Sequence, residues 1–200
     1  MENQWNNITL EEFVKIRAIL GDSEKSEEDK LIALAAFMQG VDEETILTMP
    51  LDEVSPIFEM VQGLREKPKE SKARRHYQVG KWALKLTQAK EMTVAQWVDI
   101  QNYYRDDVEK HLADILSVAL VPVGKKYNEG YDIEELKAAL WGMYVCDALA
   151  VCFFFQRKWL RSTERTLNYL AGWSFLKGRR ELTKKALEVR RQLLGTMSSL

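Results

Sequence analysis

Apolar residues recur at helical spacing along most of this chain. Phe13, Ile16, Ile19 and Leu20 fall on one stripe, Leu31, Leu34, Ala35 and Met38 on a second, and Ile57, Met60, Val61 and Leu64 on another. Trp97, Ile100 and Tyr104 repeat the pattern further on, followed by Leu112, Ile115, Leu116 and Ala119. The punctuation agrees. Thr9-Leu10-Glu11-Glu12 is a capping box, in which Thr9 accepts from the third helical N–H and Glu12 reaches back to the cap N–H. Gly21-Asp22-Ser23 stops that helix, Gly40 ends the next, and Asp42 with Glu43 and Glu44 starts a short third. Pro50 and Pro56 bracket a turn, which puts the fourth helix after them. Pro122 and Gly124 close the Leu112 helix, and Asp132-Ile133-Glu134-Glu135 opens another.

Between the helical stretches the period changes. Tyr77 and Val79 alternate with polar residues, as do Trp82, Leu84 and Leu86, and Gly80-Lys81 lies between them. That is a short β-hairpin, too small to stand without a helical unit or another chain against it.

The helix starts also repeat. Ile8-Thr9-Leu10-Glu11-Glu12-Phe13-Val14-Lys15-Ile16 reappears as Met92-Thr93-Val94-Ala95-Gln96-Trp97-Val98-Asp99-Ile100. Each copy is a cap followed by a core run, so the chain reads as two related units. The first is expected to face outward and the second to be buried against another subunit. The expected fold is therefore mainly α: an acidic helical unit (1–66), a basic linker with the β-hairpin (67–90), a second helical unit (91–156) and a basic helical tail (157–200) that breaks near Gly178.

Charge sharpens these boundaries. The net charge is -1, yet 1–66 holds 5 basic and 15 acidic residues, 67–90 holds 8 and 1, 91–150 holds 5 and 11, and 151–200 holds 11 and 3. Alternating blocks suit head-to-tail contact between subunits, or a linker and tail folded back on the acidic units. The first residues lack the basic and apolar regions of a secretion signal. The run 140–155 contains Gly142 and Asp147 and is shorter than the roughly 20 apolar residues of a membrane span. It reads as a helix buried on all sides, within the chain or by a partner, with no membrane role.

Little in the sequence names a reaction. Cys146 and Cys152 are six apart, about 120° around a helix, which is poor ligand geometry and suits two buried thiols. His76 and His111 are far apart in sequence and neither has another His or a Cys at helical spacing, so neither a metal nor another cofactor is expected. The Gly124-Lys125 pair lacks the rest of a phosphate-binding loop, with Ala119 where the first Gly belongs and Lys126 where Ser or Thr would stand. The acidic clusters sit at helix starts, where caps and dipoles explain them. No enzyme is expected.

The tail is the candidate partner-contact surface. Arg157, Lys158, Arg161, Arg165, Arg179, Arg180, Lys184, Lys185, Arg190 and Arg191 interleave with Trp159 and Trp173. Such a set serves subunit contact, with Leu182, Ala186, Val189 and Leu193 as a packed stripe, or it positions phosphates and stacks bases.

The run 92–101, the small hairpin before it, the segment Val121-Pro122-Val123-Gly124-Lys125-Lys126-Tyr127-Asn128-Glu129-Gly130-Tyr131-Asp132, and Asp147-Ala148-Leu149 before Phe153-Phe154-Phe155 together resemble small helical virion proteins of tailed bacteriophages. In style they are similar to structural proteins of crAss-like phages. The acidic first unit also resembles tail assembly chaperones. The resemblance covers 8–156 and leaves the tail outside. It implies a non-enzymatic, multi-copy structural protein, specifically a ring or connector near the portal and tail. Its partners would be copies of itself and other virion proteins, in the virion and, during assembly, in the host cytoplasm. An assembly chaperone is the alternative within that class. A helical nucleic-acid-binding module acting through the tail is the alternative outside it.

Overall fold

The computed structural model describes residues 4–157 except 69, 70, 89, 106 and 107. A 3-10 turn (Gln4–Asn7) leads into helices α1 (Leu10–Gly21), α2 (Glu27–Gln39), α3 (Glu43–Thr48) and α4 (Leu51–Gly63). Strands β1 (His76–Val79) and β2 (Trp82–Leu86) follow, then α5 (Val94–Arg105), α6 (Leu112–Ala119), β3 (Leu120–Pro122) and α7 (Ile133–Leu140). Residues 145–157 are also helical. The chain is mainly helical, with a small three-stranded antiparallel sheet between helical stretches. Contacts divide it after Cys152. The two helices expected in the tail lie outside the described residues.

The caps form where the sequence places them. Thr9 and Glu12 make the reciprocal box on α1, and Asp42 accepts from the Thr45 N–H at 2.7 Å. Asp132 accepts from both Glu134 and Glu135. Helix α2 carries a further box, Ser26 with Asp29, hidden in the sequence among the acidic residues beside it. One boundary differs from expectation. Helix α4 begins directly after Pro50, and Pro56 lies within it. Pro56 removes a donor to the Asp52 carbonyl, but Asp52, Ser55 and Pro56 are all exposed, so solvent can take its place. The Ser55 hydroxyl donates to the Leu51 carbonyl at 2.8 Å and helps hold this first turn.

The hairpin joins β1 to β2 through a two-residue loop, with Val79 paired to Trp82 and Gly80 in left-handed backbone at φ +52. Such a turn requires positive φ at its first position, where only Gly is unstrained. The hairpin does not stand by itself. β3 pairs antiparallel with β2, placing Leu84 opposite Pro122 and Leu86 opposite Leu120. Pro122 is the last residue of this edge strand, where its missing N–H breaks no ladder.

Packing among the described residues includes contacts around α2 and around α6. Ala35, Ala36, Ile46 and Val54 form one cluster among α2, α3 and α4, with Ile32, Met49, Ile57 and Phe58 against it. Helix α6 packs on both α5 and α7, and seven of its eight residues are buried. Tyr104 donates from its hydroxyl to the Cys152 carbonyl at 2.6 Å, tying α5 to the end of this unit.

The N-terminal segment stitches the ends of the unit together. Trp5 is 2% exposed, meets Phe13 edge-on at 5.5 Å and donates from Nε1 to the Glu66 carbonyl at 2.9 Å. Helix α1 docks its start on the turn after α7: Leu10 N–H reaches the Met143 carbonyl at 2.8 Å and Glu11 N–H the Trp141 carbonyl at 3.0 Å. Donors that a helix start normally leaves open are thereby satisfied within the chain.

The two repeated starts differ in how much of each is covered within the chain. Leu10 is fully buried, whereas its counterpart Val94 is 80% exposed. The first copy is sealed against residues 141–145, and the second leaves Val94 and Val98 facing outward. Acidity of the surrounding sequence is a property of the outer helix faces and does not report which end of a helix is covered.

Candidate functional site

Of the tail residues, Arg157 is exposed on helical backbone. Lys158, Trp159, Arg161, Arg165, Trp173, Arg179, Arg180, Lys184, Lys185, Arg190 and Arg191 lie outside the described residues.

The cysteines and histidines have structural surroundings. Burial pushes the Cys152 thiol up to about 12, which leaves it protonated and inert near neutrality. Cys146 Sγ lies 3.5 Å from the Trp5 carbonyl, beside the N-terminal segment. His111 Nδ1 is 3.0 Å from Asp114, whose other oxygen is 3.0 Å from the Lys137 ammonium. Burial works against the charged Lys137, but the hydrogen bonds it donates to the Glu134 and Asp114 carboxylates outweigh it and raise its pKa well above the ordinary range. This network joins the start of α6 to α7. Among the described residues no three His, Cys, Asp or Glu side chains converge as metal ligands, and no helix is long and apolar enough to cross a membrane.

Asp147, the one charge in the apolar run, faces the basic linker. It pairs with Arg74, whose guanidinium also lies over the Tyr77 ring at 5.3 Å. The Ser71 hydroxyl reaches the Cys146 carbonyl at 2.9 Å. Lys81 pairs with Glu135, and Lys85 with Glu91 at 3.0 Å. Three linker cations thus meet acids of the second stretch inside the chain.

The acids of the first stretch are less fully matched. Glu27 pairs with Lys30 and Arg65, and Glu43 with Lys25. Glu28, Glu44, Asp52, Glu53 and Glu59 have no ion pair among the described residues. Within this acidic frame Leu47 is 67% exposed and Leu51 78% exposed, at the junction of α3 and α4. A second exposed apolar pair, Val94 and Val98, lies one helical turn apart on α5.

A cleft of about 490 Å³ opens beside the sheet, between the β2 end, the start of α5 and the turn after β3. That turn is held by Lys125 N–H to the Pro122 carbonyl at 3.0 Å, with Gly124 at φ +79, a position that disfavours side chains. Lys85, Lys125, Lys126 and Glu91 supply the charges, and Tyr127, Pro122 and Val121 an apolar side. Lys85 holds the Glu91 carboxyl below the usual carboxylate range. Burial first, and then the Asp99 carboxylate 3.0 Å away, push the Tyr127 phenol far above its ordinary value, so Tyr127 is a neutral donor to Asp99. Gln96 closes the cleft floor and is 2% exposed. Its Oε1 accepts from the Thr93 N–H at 3.0 Å, while its Nε2 donates to the Val118 carbonyl at 3.1 Å.

No protein family, no curated protein and no solved structure matches this chain.

Proposed function

We propose that this chain is a non-enzymatic structural or assembly protein of a tailed bacteriophage that works by associating with copies of itself and with other virion proteins. The specific reading is a multi-copy ring or connector component near the portal and tail. The observation that carries association is the pair Leu47 and Leu51, exposed on the α3–α4 junction amid acids without ion pairs. An apolar patch rimmed by one sign of charge fits a partner with apolar groups and the opposite charge. The basic, aromatic stretch 157–200 of another copy has that composition. Three of the linker cations, Arg74, Lys81 and Lys85, are paired within the chain, and the tail is the second large basic block that could balance the first acidic one. The phage assignment is supported by the sequence resemblance.

Two observations test the assignment. Genes for portal, capsid and tail proteins adjacent to this one, together with its recovery from purified particles, are expected. A neighbourhood of unrelated genes and absence from every particle would overturn it. Recovery from assembly intermediates but not from finished particles would instead favour a chaperone. Salt-dependent binding to duplex DNA that disappears when 157–200 is removed would favour the nucleic-acid-binding module.

A further inference from the structure

We propose that the open edge of β1 docks an extended acidic segment of a partner protein, which adds a fourth strand to the sheet. This site is separate from the association face on α3 and α4 and does not depend on it. Strand β1 pairs with β2 along one side, and no described strand lies along the other.

The ladder fixes which backbone groups face the open side, because hydrogen-bonding direction alternates along a strand. The Arg75 carbonyl accepts from the Leu86 N–H at 2.9 Å, and Val79 closes the two-residue turn against Trp82. Arg75, Tyr77 and Val79 therefore direct their polar backbone at β2. On β2 the intervening residues serve the other neighbour: the Ala83 carbonyl accepts from the Val123 N–H at 2.9 Å, and Ala83 stands opposite Gln78. The N–H and C=O of His76 and Gln78 consequently point away from the sheet. None of these four groups has a partner among the described residues, and both residues are exposed. The open stretch ends at Arg74, whose N–H is taken by the Tyr77 hydroxyl at 2.6 Å, and at Gly80, whose carbonyl accepts from Gln78 Nε2 at 2.8 Å. An added strand would exchange hydrogen bonds with all four open groups.

Charge selects the occupant. Residues 67–90 hold 8 basic residues and 1 acidic. Arg74 and Lys81 pair with Asp147 and Glu135, but Lys72 and Arg75 are exposed and have no ion pair among the described residues. A second copy of β1 fits poorly. Antiparallel pairing through His76 and Gln78 would set each Arg74 against the Gly80-Lys81 turn of the other copy. The basic stretch 157–200 carries the same sign as the edge. Cations on an edge strand commonly block self-pairing, and these same cations favour a strand that carries carboxylates. The acid-rich starts of α2, α3 and α7 are helical, so the extended acidic segment belongs to another protein.

The test combines calorimetry and amide hydrogen exchange of the full chain with a blocked octapeptide of alternating glutamate and valine. Saturable binding is expected, with the His76 and Gln78 amides protected in the complex and not in the free protein. Gln78→Pro should abolish binding and keep the fold, because the lost N–H faces away from β2 and edge strands accept proline at such a position. Gln78→Ala should bind like the wild type. Arg75→Glu should weaken binding about tenfold, as should lysine in place of the peptide's glutamates. Absence of saturable binding overturns the proposal. So does binding that survives Gln78→Pro, or equal binding of the lysine peptide. A dimer of the free chain that Gln78→Pro abolishes overturns it in favour of self-pairing. Should Gln78→Pro not fold, protection of the two amides and the loss in Arg75→Glu decide the matter.

Discussion

Replacing Gln96 by Glu turns the second helix start into a copy of the first, and it is expected to destabilise the protein. At the first start Glu12 accepts from Thr9 N–H at 2.7 Å and from the Thr9 hydroxyl at 2.8 Å, and its carboxylate is partly exposed. At the second, Gln96 makes the same contacts to Thr93 but is buried, and its amide also donates to the Val118 carbonyl. A glutamate here would keep the box and set a carboxylate oxygen against that carbonyl. The lost hydrogen bond costs about 1 kcal/mol, and a buried carbonyl left without its donor adds about 1–3 kcal/mol. The favourable helix dipole returns about 0.5 kcal/mol. The net loss near pH 7 is therefore about 1.5–3.5 kcal/mol. Protonation restores a donor, so the folded-state pKa of the new carboxyl lies above the ordinary value of about 4.3. A raised pKa gives a contribution that is complete below the unfolded value and is lost as pH rises through the folded one. The deficit should accordingly be small at about pH 4 and grow toward neutrality. Urea denaturation followed by tryptophan fluorescence, at both pH values, measures it. Equal stability of Gln96→Glu and the wild type at both would refute the role given to the Val118 contact. The reciprocal change Glu12→Gln should cost under about 1 kcal/mol, since no carbonyl faces that side chain.

Two further outcomes follow from other parts of the fold. Trp5→Ala should cost about 3 kcal/mol by chemical denaturation, because a buried ring and its bond to the Glu66 carbonyl are removed together; a change below about 0.5 kcal/mol would mean that the N-terminal segment does not hold the unit closed. Tyr127→Phe should cost about 1 kcal/mol near neutral pH. Because the folded phenol has a raised pKa, its contribution is full below about pH 10 and is lost as pH climbs through the folded value, so variant and wild type should converge in strongly alkaline buffer; a constant difference across that range would contradict the Asp99 contact.

Features written in short-range chemistry were legible in the sequence. Thr9, Asp42 and Asp132 cap because an oxygen side chain beside a helix start finds open N–H groups within three residues, whatever the rest of the chain does. Gly80 marks the hairpin for a similarly local reason. Pairing between distant segments was not legible. Leu120–Pro122 is three apolar residues continuous with α6, and only the presence of β2 beside it makes it a strand. Pro56 looked like a helix boundary because its cost depends on whether the Asp52 carbonyl is wet. Trp5 stood in a polar stretch without periodicity, and its partners Phe13, Glu66 and Cys146 come from three separate places. The cleft is hidden for the same reason. Thr87 and Thr93 are assembled with Lys125 and Tyr127 across more than 30 residues of intervening chain. The doubled helix start showed that Thr93 and Gln96 form a cap, but Gln in place of Glu gained meaning only once Val118 was found opposite.

Sedimentation velocity of the full chain over a wide range of concentration tests self-association most directly. The expected result is a concentration-dependent series of larger species in low salt. These species should shrink toward monomer near 1 M salt, where charges are screened beyond about 3 Å. They should also be lost in the Leu47→Asp, Leu51→Asp double variant, whose two exposed positions can change without disturbing the core. A monomer at every concentration, or oligomers indifferent to both salt and the double substitution, would contradict association through the acidic, apolar face of α3 and α4.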